Sequence, residues 1–369
     1  MTFTPDRVVR PHIVPAAKYD PPKSLSETGP VVRLDFNESP FGLSTNAQAA
    51  FDAFSSGNRY PPFAQDDLVA AIAGYAGVEP ARIMVGAGLD DVFATLAIAT
   101  IDRGDEVIIS DPTFGVYRAL FGVHGATMVD VPLGPAPDFT LDVDGIIAAV
   151  NEKTKLVIIC NPNNPTGTLF CRDDIRRIVE NVDTLVAIDE AYAEFSGAYH
   201  LDLANEYPNV VILRTLSKFA GLAGYRVGYG IFPEALMPWI RRAAPAFYNV
   251  SAISAAVAIG ALQDVDELMQ KVALLNQERD SLIANLNELA GVEAYPSSAN
   301  FVLFSIPPEA DQAITAALAE NRIFIRRFGG SLANTIRVSI GSPEENRLFL
   351  NTIAGALERS AHCGEDVNG

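Results

Sequence analysis

The sequence predicts an α/β protein built on a mainly parallel sheet, followed by a smaller α+β unit. Three observations predict it. Short apolar runs recur between residues 82 and 232, separated by stretches of helical period, which is the pattern of strands buried on both faces. Hydrophobic residues make up 49% and charged residues 20% of the 369, the profile of a globular chain larger than a usual single domain. After about residue 250 the pattern changes to a long helical stretch and then to separated strand-like segments.

In chain order, residues 1 to about 35 are rich in proline and polar residues and read as an extended arm leading to a short strand. "DDLVAAIAGYAG" (66–77) has helical period; "RIMVGAG" (82–88) is a strand ending in glycines, and "LDDVFATLAIAT" continues as a helix. "DEVIIS" (105–110) is a strand, "DPTFGVYRALFGVHG" a turn and helix, and "ATMVDVPL" a strand. Further strands are expected at 154–160, 184–190, 209–215 and 226–232. A long helical stretch is expected over roughly 251–290, then strand-like "NFVLFSI", a helix at 308–321, "IFIRRF" and "TIRVSIG", and a closing helix from Pro343.

The formal net charge of −18 argues against nucleic acid or an anionic membrane surface as partner. Cys160, Cys171 and Cys363 show neither CxxC nor zinc spacing, and His12, His124, His200 and His362 are too scattered to suggest a metal site. The opening "MTFTPDRVVRPHIVP" lacks an apolar core of signal-peptide length, and no stretch approaches the roughly 18 apolar residues of a spanning helix. A reduced, cytoplasmic setting is therefore expected.

In a parallel α/β sheet, ligands sit beyond the carboxyl ends of the strands. Here those ends carry Gly86, Ala87 and Gly88; Asp111 to Phe114; "NPNNPTG"; Asp189, Glu190 and Tyr192; and "RTLSK". Glycines leading into a helix start favour a phosphate, Thr215 and Ser217 add hydroxyls, and Arg226 adds a guanidinium fork. Asp189 at a buried strand end needs a positive partner, which a protonated ring nitrogen supplies. Phe114 offers a stacking face, Asn164 and Tyr192 offer hydrogen bonds to a phenolic oxygen, and Lys218 offers an amine for a Schiff base. Pyridoxal 5'-phosphate matches this set. Taken singly, each residue also has an ordinary reading. Lys218 and Arg226 are also readable as surface cations, Asp189 as a strand cap, Phe114 as core and Tyr60 as a loop anchor. Arg337 is readable as an edge-strand residue, and Arg326 and Arg327 as outward charges.

"NPNNPTG", "DEAY", "LSK" with an arginine eight residues on, and "SANF…RVSIG" resemble the fold-type I pyridoxal-phosphate aminotransferases, the aspartate aminotransferase superfamily. "LDFNESPFG", "NRYP" and "GLAGYRVGY" look most like its histidinol-phosphate aminotransferases, and the resemblance runs from about residue 8 to 358. It implies a large, mainly parallel seven-stranded domain over 46–265. The smaller α+β domain would come from both chain ends, with an arm and part of that domain over 1–45 and the remainder over 266–369. By resemblance Lys218 is the Schiff-base lysine and proton carrier. Asp189 pairs with the ring nitrogen, and Asn164 and Tyr192 hold the ring oxygen. Ala87, Gly88, Thr215, Ser217 and Arg226 bind the phosphate. Tyr60 would reach the cofactor of a second subunit, implying a homodimer. Arg337 would hold a substrate carboxylate, Asn37 and Asn300 line the substrate side, and Tyr19 and Arg326 are nominated for a substrate phosphate; the role of Arg327 stays open. The implied reaction is a ping-pong amino transfer between histidinol phosphate and 2-oxoglutarate, giving imidazole-acetol phosphate and glutamate. An aromatic amino-acid aminotransferase and a threonine-phosphate decarboxylase are the alternatives, and Phe247 and Tyr248 are candidates to receive an aromatic ring. The sequence departs from the subfamily at "GAGLDD", with Leu89 and Asp90, and at Phe114, where tyrosine is common.

Overall fold

The computed structural model describes residues 8–14, 29–62, 65–244 and 249–365, with side chains described to residue 360. Its first strand, β1 (Val32–Arg33), is taken up later by a C-terminal partner. The next seven form one sheet: β2 (Ile83–Ala87), β3 (Glu106–Ile109), β4 (Thr127–Asp130), β5 (Thr154–Cys160), β6 (Leu185–Asp189), β7 (Val210–Thr215) and β8 (Val227–Ile231). These are the seven apolar runs expected from the sequence. The spatial order is β2-β8-β7-β6-β5-β3-β4. Strands β4, β3, β5, β6 and β7 are parallel, and β8 runs antiparallel to both β7 and β2.

The central strands carry few polar residues because helices cover both faces. Val157, Ile158, Val186, Ile188, Val211 and Ile212 are all buried. The reversed β8 decides where Arg226 goes. Because β8 begins at the rim where β2 and β7 end, a residue preceding it joins residues that follow the others. In register, Ala87 lies opposite Val227 and Thr215 opposite Gly228. Gly228 has a packing reason: a Cβ there would stand 2.4 Å from the backbone nitrogen of Leu89, where the helix Leu89–Thr100 starts.

Two expectations for the C-terminal region are refined. The stretch over 251–290 is two helices, Ala252–Gln263 and Val265–Asn287. They break at Asp264, whose carboxylate accepts from the backbone N–H and side-chain amide of Asn46. "IFIRRF" is also split, into β11 (Ile323–Phe324) and β12 (Arg326–Arg327), once β9 (Glu293–Ala294) and β10 (Phe301–Ser305) are counted before them. β11 pairs in parallel with β1, whereas β12 pairs antiparallel with β13 (Thr335–Ser339), so the chain changes sheets at Ile325. The four-stranded sheet runs β12-β13-β10-β9. The N-terminal segment is thereby fastened to C-terminal strands: Leu34 donates to the Phe324 carbonyl and accepts from Ser339 N–H.

Among the described residues no helix is long and apolar enough to cross a membrane. Gly228→Ala is expected to lower stability by about 1–3 kcal/mol, because the strand must part from backbone rather than from a movable side chain. Urea unfolding measures this, and an unchanged midpoint would contradict the close approach.

Candidate active site

The rim formed by the ends of β2, β5, β6 and β7 and the start of β8 collects most of the residues expected from the sequence. At its β2 edge, Gly88 adopts φ +84°, and a Cβ there would lie 2.2 Å from a terminal nitrogen of Arg226. The guanidinium therefore rests directly over a residue that has to be glycine. It is ion-paired with Asp90 at 2.9 Å. Thr215 donates its hydroxyl to Ser217 Oγ at 2.9 Å and accepts from Ser217 N–H at 3.1 Å, so the two hydroxyls form one turn beside Arg226. Gly88 caps the helix Leu89–Thr100 without a side-chain bond. An uncapped helix start, paired hydroxyls and a guanidinium fork make an anion cradle.

Deeper in, Asp189 ends β6 and is 2% exposed. One carboxylate oxygen accepts from the Tyr117 hydroxyl at 2.5 Å, the other from Ala191 N–H at 3.0 Å. Burial raises its pKa to about 6, opposed by these two hydrogen bonds. Both described partners are neutral, which leaves a buried acid suited to a cationic ligand atom. The Tyr192 hydroxyl accepts from Asn37 Nδ2 at 3.0 Å and from Asn164 Nδ2 at 3.1 Å. Lys218 is half-buried, donates to the Phe36 carbonyl at 2.9 Å and lies 6.0 Å from the centre of the Tyr192 ring. Burial lowers its pKa to about 8, with help from the Arg337 charge.

Above these residues runs the strap of residues 35–37. Its three carbonyls accept in turn from Arg337 at 2.7 Å, Lys218 at 2.9 Å and Asn300 at 3.0 Å. Arg337 also donates to Asn164 Oδ1 at 2.6 Å, which ties the C-terminal sheet to the β5 loop. Asn300 is fully buried, and its amide oxygen has no partner among the described residues. Arg326 lies directly opposite Arg337 in the β12–β13 pairing, so both side chains leave one face of that sheet. Arg327 ion-pairs with Asp311. Arg327 is thus drawn to the helix Asp311–Glu320 while Arg326 stays beside Arg337.

Phe114 is half-buried and meets Tyr117 edge-on, with ring centres 5.5 Å apart. Tyr60 is 83% exposed. Tyr19, Phe247 and Tyr248 lie outside the described residues. Sequence reasoning missed Tyr117 and the strap carbonyls. Asp90 was noticed only as a departure from the subfamily, without its ion pair to Arg226. Backbone acceptors leave no sequence signal, and Tyr117 reads as an ordinary apolar-face residue of the helix Val116–Val123.

A helix start with a guanidinium and two hydroxyls, a buried carboxylate, a hydroxyl held by two amides and an amine of lowered basicity lie along one rim of the sheet. They fit a flat, cationic, phosphorylated ring. The family model for aminotransferase class I and II matches residues 29–353. The chain belongs to the class I and II aminotransferases. It is 37% identical over 333 residues to a histidinol-phosphate aminotransferase of Roseiflexus castenholzii, covering 88% of this chain and 89% of that one. It is 40% identical over 338 residues to an aromatic amino acid aminotransferase of Rhodococcus opacus, covering 89% and 91%. The fold matches a crystal structure of a Sinorhizobium meliloti histidinol-phosphate aminotransferase in complex with pyridoxal-5'-phosphate, with TM-score 0.86, 26% identity and coverage of 97% and 98%.

In this aminotransferase the lowered basicity of Lys218 is directly measurable. Acylation of cofactor-free protein at increasing pH, followed by peptide mass analysis, should give half-maximal labelling of Lys218 near pH 8. A profile centred near about 10.4, the ordinary lysine value, would contradict the described environment.

Proposed function

We propose that this aminotransferase carries pyridoxal 5'-phosphate on Lys218 and moves an amino group between histidinol phosphate and 2-oxoglutarate. The cofactor, when bound, supplies an aldehyde that captures the substrate amine and a ring that accepts the electron pair released beside it. The remaining work falls to this chain's own residues. Arg226, Thr215, Ser217, Ala87 and Gly88 hold the phosphate by the fork, hydroxyls and amides of the cradle. Asp189 supplies the negative charge opposite the ring nitrogen, Phe114 the stacking face, and Asn164 and Tyr192 the hydrogen bonds to the ring oxygen. With a pKa lowered to about 8, Lys218 is roughly one-tenth neutral at pH 7, far more than an ordinary lysine. It can take the proton from the substrate carbon and return it elsewhere on the same face.

The observation that carries the substrate assignment is the alignment of Arg326 with Arg337 across β12 and β13. Two guanidiniums on one face of the sheet make a locally positive surface suited to an anionic group. Arg337 suits the carboxylate of 2-oxoglutarate or glutamate. The pair suits the phosphate ester that histidinol phosphate carries in place of that carboxylate. Asn37, Asn300 and Tyr19 complete the substrate side. Exposed Tyr60 fits a contact with the cofactor phosphate of a second copy, so the active form is a homodimer with sites at the interface. The working division is a large domain over 46–265 and a small domain from 1–45 and 266–369, acting in the cytoplasm.

The second reading, transfer from an aromatic amino acid, is favoured by the 40% identity to the Rhodococcus opacus enzyme. A rapid-mixing half-reaction separates the two. Histidinol phosphate should bleach the cofactor's visible band rapidly, with recovery on adding 2-oxoglutarate, while phenylalanine and threonine phosphate act slowly. Equal bleaching by phenylalanine would establish the aromatic reading instead. Arg326→Gln should raise KM for histidinol phosphate about 10- to 100-fold, the range for losing a hydrogen bond to a charged group, with little change in kcat. No change in KM would remove Arg326 from the substrate site.

A further inference from the structure

Asp189 is the acid on which the proposed site turns, yet burial opposes its ionisation. What keeps the carboxylate charged and aimed is therefore a separate question from what it binds. Its described surroundings are specific. The Tyr117 hydroxyl donates to one oxygen at 2.5 Å, and Ala191 N–H takes the other at 3.0 Å. Cys160, its neighbour across the β5–β6 pairing, donates its thiol to the Pro162 carbonyl. The nearby charges of Asp90 and Glu190 are of like sign and disfavour ionisation further. Glu190 is itself held by Arg214 at 2.7 Å and by His200 at 3.0 Å. Tyr192, on the loop after β6, turns its hydroxyl to Asn37 and Asn164 instead. Among the described side chains, Tyr117 is thus the donor to Asp189.

The phenol is also fixed in place. Tyr117 is buried, and its ring meets Phe93 edge-on at 5.2 Å and Phe114 edge-on at 5.5 Å. Phe121, one helical turn on, packs against the same Phe93 at 6.2 Å. A ring clamped by two aromatic neighbours leaves its hydroxyl little freedom, so the bond to Asp189 needs no reorganisation when a ligand arrives.

We infer that Tyr117 is a positioning residue that acts through Asp189, holding its carboxylate ionised and directed at the ring nitrogen of the bound cofactor. The inference rests on the proposed role of Asp189. Its chemistry has a definite sign. A donor to the ionised form favours that form. Without it, Asp189 takes the ring-nitrogen proton more readily, and the ring loses positive charge. The nitrogen linking ring and lysine then becomes more basic, and the visible band titrates at higher pH.

The test uses holoenzyme carrying Tyr117→Phe, Asp189→Asn, or both, with wild type alongside. Each is read by pH titration of the visible band and by the cofactor dissociation constant, and circular dichroism confirms folding. Tyr117→Phe should move the titration to higher pH and weaken cofactor binding about 10-fold, as expected for one hydrogen bond to a charged group. In the Asp189→Asn background the same change should add nothing to either readout, because its target carboxylate is gone. If Asp189→Asn shifts both readouts while Tyr117→Phe shifts neither, the inference is overturned and the role of Asp189 stands. If Asp189→Asn itself shifts neither, the role of Asp189 fails and the inference with it. Equal effects of Tyr117→Phe with and without Asp189 would make Tyr117 a packing residue, which also overturns the inference. Should Tyr117→Phe fold poorly, Phe93→Leu loosens the clamp while keeping the phenol. A smaller shift of the band in the same direction is then expected, and none would count against the inference.

Discussion

A carboxylate at the end of a buried strand sets the terms for everything around it. Removing an ionised group from water costs several kcal/mol unless partners replace the lost hydration. At Asp189 the described partners are one phenol and one backbone amide, and the pKa is still raised to about 6. The site therefore holds an acid that gains most from a cation brought in by a ligand. A protonated heteroaromatic ring would fulfil that need, and the remaining features of the rim suit the other substituents proposed for such a ring.

The fold brings those features together from distant parts of the chain. Reversal of β8 returns Arg226 to the edge where β2 and β7 end, and glycines at 88 and 228 let backbone and guanidinium approach within van der Waals limits. The N-terminal strap is stitched to β11 and β13, so its three carbonyls receive Arg337, Lys218 and Asn300. Arg337 in turn reaches Asn164 on the β5 loop. Residues proposed for the substrate side and for the cofactor thus share hydrogen bonds.

Much of this was legible in the sequence because the relevant signals are local. Seven apolar runs with turn residues after them gave seven strands, and the polar residues at those turns gave most of the rim. Other features depend on tertiary partners and left no such signal. The helix break falls at Asp264, which is bonded to Asn46, more than two hundred residues away in sequence. Arg326 and Arg327 are neighbours of one type with different surroundings, one beside Arg337 and one on Asp311. Tyr117 looks like any aromatic on a helix's apolar face until the Asp189 carboxylate is placed against its hydroxyl.

Lys218, among all amines of the chain, is the one proposed to carry the cofactor. The most direct measurement is borohydride reduction of the holoenzyme followed by proteolysis and peptide mass analysis. A single pyridoxyl adduct is expected on Lys218, in the peptide that holds Thr215 and Ser217. An adduct on another lysine, or no adduct from protein showing the cofactor's visible band, would contradict it.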